Sequence, residues 1–174
     1  MFSLFRQRVS PAQVAGEVMT LVYGLGWLEG ESFEQFRRNA QIEIDPATVR
    51  NETFWLRLAA ADWVIRSHGP DTPTALAVLD AFYADFQQRI NRDPNARSTV
   101  DGVRQLVQRY GEAGTAHAQA IQTQSQGLPN TVGHVFADRC GQRYNMQLIT
   151  YGLISFGATV KAVQKHLQTK RIAV

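Results

Sequence analysis

His134 and Asp138 stand four residues apart, and Cys140 follows closely. On a helix that spacing sets an imidazole and a carboxylate on one face, the start of a metal site. A bound ion would need a further ligand from elsewhere in the fold, so a surface His–Asp pair is the plainer expectation. His134, Asp138 and Cys140 stay as candidate ligands, and no metal or cofactor is expected. None of the four histidines lies in an HExxH or a Glu-x-x-His pattern, so the signatures of zinc proteases and di-iron bundles are absent. Cys140 is the only cysteine and cannot close an internal disulfide. That fits a reducing compartment, and a cytoplasmic location is the default expectation.

Two carboxylates occupy apolar surroundings. Asp62 sits between Ala61 and Trp63, and Asp80 follows Leu79. A buried carboxylate must be paired, and Arg57 and Arg66 are turn neighbours of Asp62. A structural ion pair is expected there rather than catalysis. The glycines of YGLGWLEGES (23–32) do not form a phosphate-cradling GxGxxG, and no G-x-S-x-G elbow occurs. Enzymatic function is not expected.

A second constellation is aromatic: Phe54, Trp55, Trp63, Phe82, Tyr83 and Phe86. Spread over two helices, these rings would line a pocket for a small apolar ligand or an acyl chain. The same spacing also serves an ordinary core.

These side chains need elements to hold them. The chain has 174 residues, 44% of them apolar and 19% charged, enough to bury a core in one domain. Proline punctuates it into helices. Ser10-Pro11, Asp45-Pro46 and Thr72-Pro73 each place a capping residue before a proline that suits the first helical turn. Apolar residues then recur at three- and four-residue spacing: Val14, Val18, Leu21, Val22 and Leu25 after the first cap, and Leu76, Leu79, Phe82, Tyr83 and Phe86 after the third. Ser32 with Gln35, and Ser98 with Asp101, resemble capping boxes, and Thr131 should cap a short helix. QIEID (41–45) alternates but is too short to make a sheet. The expectation is an all-α fold, a single-domain bundle of six or seven helices over residues 11–174, preceded by an N-terminal arm at residues 1–10.

The last element carries the functional expectation. Met146, Ile149, Leu153, Phe156, Val160, Val163 and Leu167 are spaced 3, 4, 3, 4, 3, 4, a heptad-like seam. Gly152, Ser155 and Thr159 form a stripe of small residues beside it. Seventeen uncharged residues separate Arg143 from Lys161. That falls short of the ~20 apolar residues of a spanning helix, so a transmembrane segment is not expected. Peripheral membrane contact stays open.

Charge is uneven. Residues 1–112 carry 14 acids and 12 bases, residues 113–174 one acid and six bases, and all three lysines (161, 165, 170) fall in the last 14 residues. The basic patch is modest and lacks a helix-turn-helix frame, so nucleic-acid binding is not favoured. The expected role is a non-enzymatic protein–protein interaction or regulatory module, a homodimer being one form of it. Its partner surface would be Phe156, Val160, Lys161, Val163, Lys165 and Leu167, facing another protein or a second copy. A helical ligand pocket is the alternative, with a metal-dependent enzyme or a nucleic-acid binder behind it.

Overall fold

The computed structural model describes residues 7–26, 30–68, 72–91, 100–123 and 131–172. Seven helices appear among them: α1 (Pro11–Gly24), α2 (Gly30–Ala40), α3 (Pro46–His68), α4 (Thr72–Asn91), α5 (Val100–Thr123), α6 (Val132–Arg139) and α7 (Met146–Gln168). The fold is an all-α bundle, as the helical spacing predicts.

Caps set several boundaries. The Ser10 hydroxyl accepts from the Gln13 amide, with Pro11 at the first helical position. Asp45 does the same for α3, its carboxylate accepting from the Ala47 amide at 3.1 Å. Asn145 caps α7, accepting from the amides of Gln147 and Leu148. Two expected caps differ. Ser32 lies inside α2, which starts at Gly30, and Gln35 bonds Asn39 one turn on instead of reaching back. Thr131 is at the N-cap position of α6, but its hydroxyl meets His134 Nδ1 at 2.7 Å and makes no cap bond. Ser98 and residues 1–6 of the arm lie outside the described residues.

α3 is the central element. Leu56, Leu58, Ala59, Ala60, Ala61, Val64 and Ile65 are all buried, so it is covered on nearly every side. α7 and α5 pack along it, α1 pairs with α4, and α6 lies on α7. α7 is long and apolar enough, by length and composition, to cross a membrane. Here eight of its residues are buried in the bundle. The small-residue stripe explains how α6 comes so close. A Cβ on Gly152 would lie 2.8 Å from Phe136 Cβ, and one on Gly133 would lie 2.2 Å from the Ile149 carbonyl.

One feature has no helical signature. Gln7–Val9 (β1) and Lys170–Ile172 (β2) form a parallel two-stranded ladder in the register Gln7↔Lys170, Arg8↔Arg171, Val9↔Ile172. Val9 is buried there. The ladder ties the end of the expected arm to the chain that leaves α7. Glu17 of α1 adds to the tie, its carboxylate 2.9 Å from both His166 Nε2 and Lys170 Nζ.

Candidate functional site

The three candidate ligands, His134, Asp138 and Cys140, do not converge. Asp138 is exposed and lies 3.4 Å from the Arg109 guanidinium. His134 is engaged by Thr131. Cys140 is buried, its thiol pushed up to about 12, first by loss of hydration and then by the nearby Glu52 carboxylate. A thiol so raised is neither a ready ligand nor a nucleophile. Among the described residues no group of three or more His, Cys, Asp and Glu side chains is placed to hold an ion.

The apolar part of the expected partner surface is core in this fold. Phe156, Val163 and Leu167 are buried and Val160 is half-buried, while Lys161 and Lys165 face solvent. Phe156 lies against Gly114 of α5 and packs 6.1 Å, ring to ring, from Trp63. A 3-4 seam looks the same whether it meets its own bundle or another chain, and here it meets its own.

The six aromatics divide. Phe54, Trp55 and Phe86 pack on one another at 5.1 to 6.2 Å, with Tyr23 of α1 5.0 Å from Phe54 and Arg89 over the Tyr23 ring. Phe82 is fully buried. Phe54, Trp55 and Phe86 thus form a packed contact between α3, α4 and α1, and Phe82 is core. Trp63 and Tyr83 instead line a cleft.

That cleft, of about 830 Å³, is the candidate site. Its floor is the C-terminal part of α3, and its walls are α4 and α5. Both walls have contacts with α3 or α1, but they have almost none with each other among the described residues. Trp63, Leu79, Tyr83 and Val107 supply apolar lining, and Leu76 at the mouth is 51% exposed. On α5 the lining runs from Val107 to Gln119, roughly 18 Å at 1.5 Å per residue.

The floor is polar and internally satisfied. Buried Asp62 accepts two hydrogen bonds from Arg66, at 2.8 and 3.1 Å, and one from the Tyr83 hydroxyl at 2.9 Å. The carboxylate raises the Arg66 guanidinium above its usual range, the hydrogen bond being the main cause. Burial, with Asp62 behind it, pushes the Tyr83 phenol up as well. Arg66 is thus the ion-pair partner expected for Asp62. Arg57 is not: it turns to the end of α1 and donates to the carbonyls of Leu25 and Gly26, at 2.8 and 2.6 Å. Asp80 is exposed, contrary to its apolar context, because it points from α4 toward the cleft mouth.

Asp80 and, on the opposite wall, Glu112 enter no ion pair among the described residues, though Glu112 accepts from Gln108. The described lining contains neither histidine nor cysteine. Among the described residues no nucleophile–base pair is assembled there.

No family model matches the chain, and no curated protein or solved structure matches it either.

A second buried network lies away from the cleft. Arg139 of α6 donates to both oxygens of Glu52 on α3, at 2.5 and 2.8 Å, and the Tyr110 hydroxyl of α5 lies 3.5 Å from the same carboxylate. Glu52 raises the Arg139 guanidinium, chiefly through the hydrogen bond, and burial raises the Tyr110 phenol. This is a structural joint among three helices. Glu52 carries no local sequence signal, because its partner lies 87 positions away.

Proposed function

We propose that this protein is a non-enzymatic interaction module that docks a helical segment of a protein partner in the cleft between α4 and α5. The supporting observation is the shape and chemistry of that cleft. Two walls with almost no contact between them, lined by Leu76, Leu79 and Val107 over a floor of Trp63 and the Asp62–Arg66 pair, leave a slot that resembles a bundle with one position vacant. Its length accepts about three turns of helix. The exposed Leu76 offers an apolar contact, and the rim acids Asp80 and Glu112 favour a partner with basic residues.

The Trp63 indole tests this reading, since its N–H donates to Thr115 Oγ1 at the cleft. In 15N-labelled protein its signal should move on titration with a synthetic amphipathic helix of Leu and Lys about four turns long. A Leu and Glu counterpart should move it far less, and Leu76→Glu should weaken the response. An unmoved Trp63 signal at saturating peptide overturns the reading.

A small apolar ligand is the second reading, because the cleft volume falls within the range of ligand pockets, roughly 300–1,000 Å³. It is favoured if 1-decanol shifts the Trp63 signal and the Leu/Lys helix does not.

A further inference from the structure

We propose that the segment received by the cleft is the outer face of α7 from a second copy of this chain, a step resting on the docking reading above. Each surface is complementary to the other. At 100° per residue, Gln147, Thr150, Ile154, Ala158, Lys161 and Lys165 fall on one stripe of α7, and all six are exposed. The stripe lies opposite the buried face that includes Gly152, Phe156 and Val163.

Each of the two surfaces also exposes one large apolar side chain. Five large apolar side chains are exposed among the described residues. Two of them lie on these surfaces, Leu76 at the cleft mouth and Ile154 on the stripe, while Tyr23, Tyr144 and Met146 lie elsewhere. Scattered exposed apolar residues are ordinary on a protein surface. Here Leu76 and Ile154 coincide with matched charge.

The charges are of opposite sign and unspent. Asp62 is neutralised by Arg66, which leaves Asp80 and Glu112 as the cleft's free anions. Lys161 and Lys165 enter no ion pair among the described residues. They stand one turn apart, so two ammonium groups on flexible stems can reach acids on both walls. From Ile154 to Lys165 the stripe runs roughly 17 Å, close to the length of the α5 wall.

No described α7 residue lines the cleft, so a chain does not fill its own slot with this stripe. The contact joins unlike surfaces. It closes as a reciprocal pair or ring, or continues as a chain of copies, according to the rotation between neighbours. Exposed ion pairs contribute little each, so association should be weak and sensitive to salt.

Sedimentation velocity on the full chain, from low to high micromolar, tests this at low and high salt. Species larger than the monomer should form at low salt and recede at high salt. The double variant Lys161→Glu with Lys165→Glu should weaken association about tenfold, and Asp80→Lys with Glu112→Lys should do the same. All four substitutions in one chain should restore it. These side chains are exposed, and thermal melting of each variant confirms that the fold is intact.

A monomer at every concentration overturns the proposal. So does association indifferent to either double reversal, or not restored by the fourfold exchange. A monomer whose Trp63 signal still answers to the Leu/Lys helix removes this inference and leaves the docking reading standing. A silent Trp63 removes both.

Discussion

Arg139 grips Glu52 with both carboxylate oxygens engaged, joining the end of α6 to the first half of α3. The carboxylate is nearly enclosed, its side chain only 10% exposed, whereas the guanidinium keeps 30%. Removing one partner strands the other charge, and the enclosed carboxylate suffers more. Arg139→Leu should therefore cost about 3 kcal/mol in urea unfolding, the lower end for a broken buried pair. Glu52→Leu should cost somewhat less, because Arg139 can rehydrate. The double variant should cost clearly less than the sum of the two. Additive losses would show that the pair is not coupled.

Gly152 and Gly157 lie on the same helix and should respond oppositely to alanine. A Cβ at Gly152 meets Phe136 at 2.8 Å, and one at Gly157 meets nothing within 4 Å. Gly152→Ala should destabilise by about 1–3 kcal/mol through overpacking of α6 on α7. Gly157→Ala should stabilise by about 0.5–1 kcal/mol, since the backbone is already helical there. Thermal midpoints of the two variants decide it.

Glu17 gives stability a pH dependence. Its carboxyl is held below its ordinary 4.5, first by the hydrogen bond from Lys170 and also by Gln13 and the charge of His166. A group whose folded pKa is depressed stabilises above its unfolded pKa, and that contribution fades as pH falls through the folded value. The stability gap between the protein and Glu17→Gln should be full at neutral pH and shrink below 4.5. Urea midpoints measured across the acid range check this, and a gap that widens toward low pH contradicts it.

Cys140 should resist a thiol reagent in the native protein. Its thiol is pushed up to about 12, so almost none is thiolate at pH 8, and the sulfur is buried as well. Labelling with iodoacetamide should be slow in buffer and complete in denaturant. Because the chain has one cysteine, the native rate reports opening around the end of α6. Rapid labelling without denaturant would contradict the burial.

Much of the helical frame is legible because its signals are local. Ser10-Pro11 and Asp45-Pro46 mark helix starts through neighbouring residues, and the α7 seam from Ile149 to Leu167 declares its buried face by periodicity alone. What stayed hidden depends on distant partners. The β1 and β2 strands are three residues each and show no alternation long enough to notice. Asp80 follows a core leucine yet faces outward, because adjacent helical residues point about 100° apart. The aromatic set split for the same reason. Trp63 and Tyr83 differ from Phe54, Trp55 and Phe86 only in the direction they point, which the packing of α4 and α5 determines. The cleft itself is a gap between helices, and a gap leaves no residue to read.

The β1–β2 ladder also determines how the molecule would respond to mechanical load. Its strands run parallel, one near each end of the chain. Tension applied before Gln7 and after Ile172 would drag the two strands in opposite directions along their lengths. The bonds would then be strained together in shear instead of being unzipped singly. Three paired residues, backed by the Glu17–Lys170 contact, thus form a clasp that must fail before the helices behind it are pulled apart.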